Sequence, residues 1–483
     1  MKINLLYLYI KFFLTFTIIS CSNYSSEVEK VFPIPTERQL SWQKLDYYAF
    51  IHFNMNTFTN KEWGFGDEHP DQFNPSQLDT DQWAKIISEV GMKGIVITAK
   101  HHDGFCLWPS DYTNHSVRYT KWRNGKADIL KDLAESCKKY NLKFGIYLSP
   151  WDRNHKDYGN PEYITYFRNQ LKELLTNYGE IFEVWFDGAN GGDGYYGGAN
   201  ESRKVDKKNY YDWENTVKIV RELQPNAVIF SDAGPDIRWV GNEKGYANQT
   251  TWSPILKDSL YPGMLNFNKF SAGQENGTHW IPTETDVSIR PGWYYHPEQD
   301  NMVKSVEKLT DIYFNSVGLN SALLLNIPVD TRGLIHENDE SSLRGLSSFI
   351  NTVFDNDLTK KAKIHVLSSR RGYNPELMID DSSESFWASP KTTNSNSIEI
   401  KFDKKIEFDI VEISEYINYG QRIKTFDISI ETSQGWKKIF DGTTIGNRRL
   451  VRLETQETKS VRIRINESKA APLISNISLF SSN

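Results

Sequence analysis

The sequence predicts a two-part chain: an α/β, distorted (β/α)8 barrel over residues 35–355, followed by an all-β antiparallel sandwich over residues 361–483. Three observations carry this expectation. Short β-branched runs alternate with amphipathic helical stretches from residue 48 to residue 327, the spacing of βα units. Two of those runs end in turns rich in polar groups, Lys100-His101-His102-Asp103-Gly104-Phe105 and Trp185-Phe186-Asp187-Gly188, as expected where barrel strands open onto an active face. Beyond about Lys361 the apolar pattern changes to period two. A doubly wound open sheet is the alternative for the first part.

Taken in order, Tyr48–Phe53 reads as a first strand leading to a loop with Glu62-Trp63-Gly64. Asp81–Val90 has helical spacing and stops at Gly91, and Gly94–Lys100 is β-branched enough for a buried parallel strand. A helix near Ile129–Tyr140, the strand Lys143–Ser149, a helix near Tyr163–Asn177 and the strand ending at Asp187 follow. Next come a helix near Tyr211–Leu223 and the strand Ala227–Ser231. The pattern then loosens: Asp236–Asn242 and Trp280–Asp286 are weak strands without clear helices between them, so the fifth and sixth units are expected to be irregular. A helix near Asn301–Ser316 and the strand Ala322–Ile327 complete the set. In the second part, Ile398–Phe402, Phe408–Ile413, Thr425–Ile430, Val451–Leu453 and Val461–Ile465 alternate and are separated by polar turns. The stretch from Gly191 to Asp206, rich in Gly, Tyr and Asn, reads as an active-face loop.

With 483 residues, 39% of them hydrophobic, the chain can bury one large and one smaller core. A net charge of −6 without a basic cluster argues against nucleic acid, while 14 Trp and 25 Tyr suit stacking on sugar rings. Residues 1–21 read as a signal peptide: Met1-Lys2, an apolar run, then Ile18-Ile19-Ser20-Cys21. No later stretch is apolar enough to span a bilayer. The remaining cysteines, Cys106 and Cys137, are expected to be buried free thiols.

Asp187, at the end of a buried strand, is the lead catalytic carboxylate. Glycoside hydrolysis needs a second, and the loop from Gly234 to Glu243 offers Glu243 as the best candidate, with Asp232 and Asp236 on the same loop system able to do the same job. His52, His101 and His102 all follow strands and point to the same mouth. They lack the spacing of a zinc motif and read as hydrogen-bond partners for substrate hydroxyls, with no metal in the active site.

The strand ending at His52, the Glu62-Trp63-Gly64 loop, the His-His-Asp-Gly-Phe run and Trp-Phe-Asp-Gly together resemble, in order, the retaining α-L-fucosidases over nearly all of residues 35–355. The resemblance implies that Asp187 is the nucleophile and that His52, His101, His102, Glu62 and Trp63 hold the fucose hydroxyls. The loop ending at Glu243 resembles the branch acting on α-1,3 and α-1,4 linked fucose, which implies Glu243 as acid/base. Ile-Ile-Ser-Cys resembles a bacterial lipobox and implies lipidation of Cys21, hence a periplasmic or cell-surface lipoprotein touching the membrane only through that anchor. Residues Tyr373–Asp381 and Ser385–Ser389 resemble the start of a discoidin-like, carbohydrate-binding sandwich, in which the Asp-rich turn often helps bind structural calcium. The expected partners are fucosylated oligosaccharides and glycoconjugates, and no cofactor is required for catalysis. The rivals are a non-catalytic carbohydrate-binding lipoprotein and an inverting glycosidase on another sugar.

Overall fold

The computed structural model describes residues 27–188, 195–196, 198–264, 267–390 and 396–482. Cys21 and the rest of the leader lie outside them. Eight parallel strands, β1 (Tyr47–Ile51), β2 (Gly94–Lys100), β3 (Lys143–Leu148), β4 (Glu183–Trp185), β5 (Val228–Ser231), β6 (Ile237–Trp239), β7 (Thr283–Ser288) and β8 (Ser321–Asn326), pair with their sequence neighbours, and β8 pairs with β1. Closure of this ring excludes the open doubly wound sheet.

The helices are α1 (Glu37–Gln43), α2 (Met55–Thr59), α3 (Thr80–Glu89), α4 (Ile129–Lys139), α5 (Pro161–Asn177), α6 (Trp213–Leu223), α7 (Val306–Ser316) and α8 (Glu337–Phe354). Capping sets several of their starts: Asp79, Asp128 and Ser305 accept from the amides of Gln82 (3.0 Å), Lys131 (3.1 Å) and Lys308 (3.2 Å). The expected helix near Asn301 therefore begins only at Val306, after the Ser305 cap, and a 3₁₀ turn over Pro297–Met302 precedes it.

Strand alternation divides the residues between two cores. Tyr48, Phe50, Tyr147, Trp185, Phe230, Ile237 and Leu324 fill the barrel, while Ala49, Ile51, Ile95, Ile146, Val184 and Leu325 face the helices. A slip of one residue would exchange the two sets, and full burial of each large apolar side chain contributes about 1.5–3 kcal/mol, so the register is strongly specified. The irregular units are as expected: five residues without a helix join β5 to β6, and a long excursion from Val240 to Pro282, with only a short ribbon and 3₁₀ turns among its described residues, joins β6 to β7.

The second part contains β9 (Lys363–Val366), β10 (Trp387–Ala388), β11 (Asn396–Glu415), β12 (Ile423–Thr432), β13 (Gly435–Gly442), β14 (Arg449–Ser468) and β15 (Leu473–Phe480), all antiparallel to their neighbours. Two expected strand pairs are corrected here. Ile398–Phe402 and Phe408–Ile413 belong to the single strand β11, and Val451–Leu453 and Val461–Ile465 to the single strand β14. The polar residues Asp403-Lys404-Lys405 mark a bulge, across which the pairing jumps from Lys401↔Ser460 to Ile406↔Thr458. Each long strand thereby contributes to both layers: one half of β11 pairs with β9, the other with β15.

The two parts share packing. Ile410, Leu450 and Phe480 of the sandwich join the core outside the barrel, with Phe480 edge-on to Phe354 at 4.9 Å. Arg448 reaches Asp46 (2.8 Å), the Tyr313 hydroxyl (3.1 Å) and Glu412 (2.9 Å), tying the start of β1 to α7 and the sandwich.

Candidate active site

The candidate site is a cavity of about 520 Å3 at the C-terminal ends of the barrel strands. Alternation continues past the last ladder bonds: after Tyr48 and Phe50 the next inward residue is His52, and after Glu183 and Trp185 it is Asp187. In β2 the pairing with β3 shifts between Thr98 and Lys100. That irregularity sends Lys100 outward to Asp152 (2.9 Å) and Gln170 (3.0 Å) on the α5 side, and lets the consecutive His101 and His102 both line the cavity. Gly104 follows at φ +83°, where a Cβ would stand 2.5 Å from Asp152, so the turn after the histidines requires glycine.

Hydrogen bonds assign the imidazole protons. Asn326 donates its amide to Ser288 (2.9 Å) and the Trp293 carbonyl (2.9 Å), so its oxygen accepts from His52 Nδ1 at 2.7 Å. His52 therefore keeps a lone pair on Nε2. Ser149 gives its proton to the Trp151 carbonyl (2.6 Å), so it accepts from His102 Nδ1 (2.7 Å), and His102 Nε2 is likewise a lone pair, 3.6 Å from Asp187 Oδ2. Asn56 Nδ2 donates to His101 Nδ1 (3.3 Å), which leaves His101 a donor at Nε2. All three rings are buried and neutral: burial brings His52 down to about 3 and holds His101 and His102 well below the usual imidazole range, with the charges of Arg153 and Lys100 adding to the effect for His102.

Asp187 is one-fifth exposed and accepts from the Tyr147 hydroxyl at 2.9 Å. Behind it Trp185 stacks between Tyr147 (5.2 Å) and Phe230 (4.0 Å) and donates to Glu284 (2.8 Å). Donor atoms of His101, His102 and Asp187 lie within 4.8 Å of one another, close enough to hold an ion, and they form the one such three-residue group among the described residues.

Glu243 sits at the exposed rim, accepting from Trp293 Nε1 at 3.2 Å. Asp232 also lines the cavity and accepts from the Gly263 amide (2.9 Å). Asp236 does not line it: its carboxylate accepts from the Ile229 amide (2.7 Å) and pairs with Arg221 and Arg38. Trp63 stands at the lip, half exposed and edge-on to His102. Glu62 lines the wall, where the amide of Trp293 (2.9 Å) and His296 Nε2 (2.6 Å) engage it, so it also props the loop that presents Trp293.

Sequence reasoning missed Tyr147, Trp293, Asn326 and Asp286. Asp286 is buried in the wall and accepts from Trp239 Nε1 (2.7 Å); burial, then the charge of Glu243, holds its carboxyl well above the usual range. Its signal was the second of two acids in the run Thr-Glu-Thr-Asp-Val-Ser; for Asn326 it was an amide ending an otherwise apolar strand.

In the sandwich, Asp380 accepts from the Ser382 amide (3.0 Å) and Ser385 Oγ (2.7 Å), and Asp381 pairs with Lys360. Cys106 and Cys137 are buried and free, as expected.

Comparison with known proteins agrees with this geometry. The family described as alpha-L-fucosidase matches residues 22–353, and an F5/8 type C domain matches residues 363–477. The chain is 40% identical to alpha-L-fucosidase 1 of Arabidopsis thaliana over 97% of its own length and 93% of the relative's. It is similar to the crystal structure of a glycoside hydrolase 29 family member from an unknown rumen bacterium, with TM-score 0.84 and 44% identity, covering 95% of this chain and 78% of that one. A Ruminococcus gnavus GH29 fucosidase in complex with fucose gives TM-score 0.86 at 31% identity, covering 95% and 97%.

Proposed function

Since the chain belongs to the α-L-fucosidase family and is a glycoside hydrolase of that activity, we propose that it removes fucose with retention, using Asp187 as nucleophile and Glu243 as acid/base. The observation carrying the assignment is Asp187 itself: a carboxyl at the end of β4, opening into the cavity and oriented by Tyr147, with neutral rings around it. In the first step an Asp187 oxygen forms a bond to the anomeric carbon while the glycosidic bond breaks and Glu243 gives its proton to the departing oxygen. In the second, Glu243 takes a proton from water, which cleaves the glycosyl ester and returns Asp187 to its charged state.

His52, His101 and His102 read the sugar: Nε2 of His52 and His102 accept from hydroxyls and Nε2–H of His101 donates. This supports hydroxyl recognition over metal binding, because His101 presents a proton where an ion needs a lone pair. The fucose-bound relative supports fucose as the sugar held there. No cofactor takes part in catalysis in this reading; a structural calcium, if taken up, belongs at the Asp380 turn of the sandwich.

The substrate we propose is α-1,3 or α-1,4 linked fucose in branched, Lewis-type glycans. Lys207, Asp232, Trp239 and Met264 line the cavity together with Glu243 and offer polar and stacking contacts to a sugar next to fucose. Contacts remote from the reacting bond raise turnover only for substrates that reach them. The specificity constant on a Lewis trisaccharide is expected to exceed those on 2′-fucosyllactose and an aryl fucoside, with or without chelator. Equal values on all three remove the linkage assignment, and chelator-sensitive turnover removes the metal-free reading. The leader further supports export as a lipoprotein anchored through Cys21, a bacterial periplasmic or cell-surface location.

A further inference from the structure

The segment carrying Glu243 leaves the barrel rim and runs onto the C-terminal sandwich, where sandwich side chains bind its backbone. Thr443 Oγ1 (2.6 Å) and Arg449 Nη1 (2.6 Å) donate to the Gln249 carbonyl. Thr444 Oγ1 accepts from the Thr251 amide (2.8 Å). Gln421 behaves like a strand edge, donating to the Thr251 carbonyl (2.9 Å) and accepting from the Ser253 amide (2.9 Å). Closer to the acid, Tyr246 donates to Asp311 Oδ2 (2.8 Å), and the other oxygen of Asp311 pairs with Arg452 of β14 (2.7 Å). The Ala247 amide donates to the Asn315 carbonyl (2.7 Å), and Gly245, at φ +85°, packs on Ile312.

Among the described residues no regular element spans Val240–Trp252. A stretch without its own ladder holds a side chain in place only through outside partners. Thr444, Gln421 and Arg449 are buried, so these bonds form away from competing water.

We propose that the C-terminal sandwich is a positioning element of the active site, holding Asn242–Ser253 so that Glu243 keeps its place at the cavity rim. The inference rests on the reading of Glu243 as acid/base. Thr444, Gln421 and Arg452 are positioning residues, none of which touches substrate. Loosening them costs proton delivery to the leaving group and leaves the attack by Asp187 unchanged.

The test compares Thr444→Val, Arg452→Met and the conservative Thr444→Ser on two substrates: a fucosylated oligosaccharide, whose leaving sugar needs a proton, and α-L-fucosyl fluoride, whose leaving group does not. A misplaced general acid forfeits part of the roughly 10²–10⁴-fold it supplies. Thr444→Val and Arg452→Met are therefore expected to lower kcat/KM, which reports the first step alone, about tenfold on the oligosaccharide, with kcat/KM on fucosyl fluoride within about twofold of wild type and Thr444→Ser restoring the loss. Equal losses on both substrates, or no loss in variants with wild-type melting temperatures, overturn the proposal. Arg452 is half exposed, so its variant keeps the test open should Thr444→Val fail to fold. Glu243→Gln, run alongside, separates the two readings: if it shows the leaving-group dependence and the sandwich variants do not, only the positioning role falls; if it shows none, the acid/base assignment falls first.

Discussion

At the scale of single residues, the site sets one partly exposed carboxyl, Asp187, among three buried, neutral imidazoles. Because burial holds His52 at about 3 and keeps His101 and His102 well below the ordinary imidazole range, all three stay neutral in that range and above it. The limbs of the pH–rate profile therefore belong to carboxyls, and fucose affinity stays flat across that range. Asp187→Asn is expected to fold normally and lose roughly 10⁴-fold or more in kcat, since an amide cannot form the glycosyl ester. Azide should restore part of that turnover and give fucosyl azide of inverted configuration at the anomeric carbon. A retained azide, or near-normal turnover without it, points to another nucleophile.

At the scale of elements, β4 and β7 carry a second acid pair below the site. Glu284 accepts from Trp185 (2.8 Å) and Tyr48, and burial raises it to about 7; burial and the charge of Glu284 hold Glu183 well above the carboxylate range. A carboxyl raised in the folded state keeps a proton that the unfolded chain releases above about pH 4.5, so its contribution is complete below that pH and falls as pH rises toward the folded value. Glu183→Gln, neutral throughout, should flatten the loss of melting temperature between pH 5 and 8 and melt a few degrees above wild type at pH 8. Parallel curves for the two proteins would show that Glu183 carries no such linkage. These elements also show what could be read in advance. His52 and Asp187 were legible because period two continues past their strands. That His101 and His102 share a face was expected only from their place after β2, since the shift at Thr98 leaves no composition signal. Tyr147, Asn326 and Trp293 act through partners far along the chain; Asn326 and His52 stand 274 residues apart, and local pattern does not encode such pairings. The bonds from Gln421 and Arg449 to the acid segment span 168–200 residues and were equally out of reach.

At the scale of the whole molecule, no helix among the described residues is long and apolar enough to cross a membrane. On the proposed lipoprotein reading the anchor is Cys21, and Cys21→Ala should then move the protein from the membrane fraction to the soluble fraction with its activity intact; continued membrane association overturns that reading. The break in the helical ring between β5 and β7 has a consequence for how such a protein is rebuilt. The wall carrying Glu243 stands apart from the eight strands and their histidines, but it is fastened to the sandwich. Residues 240–282 and 363–480 therefore make up one transplantable cassette despite the barrel strands between them. A chimera that moves the loop and leaves its fastener behind inherits the new lining with an unmoored acid, whereas one that moves both carries a specificity together with the means to use it.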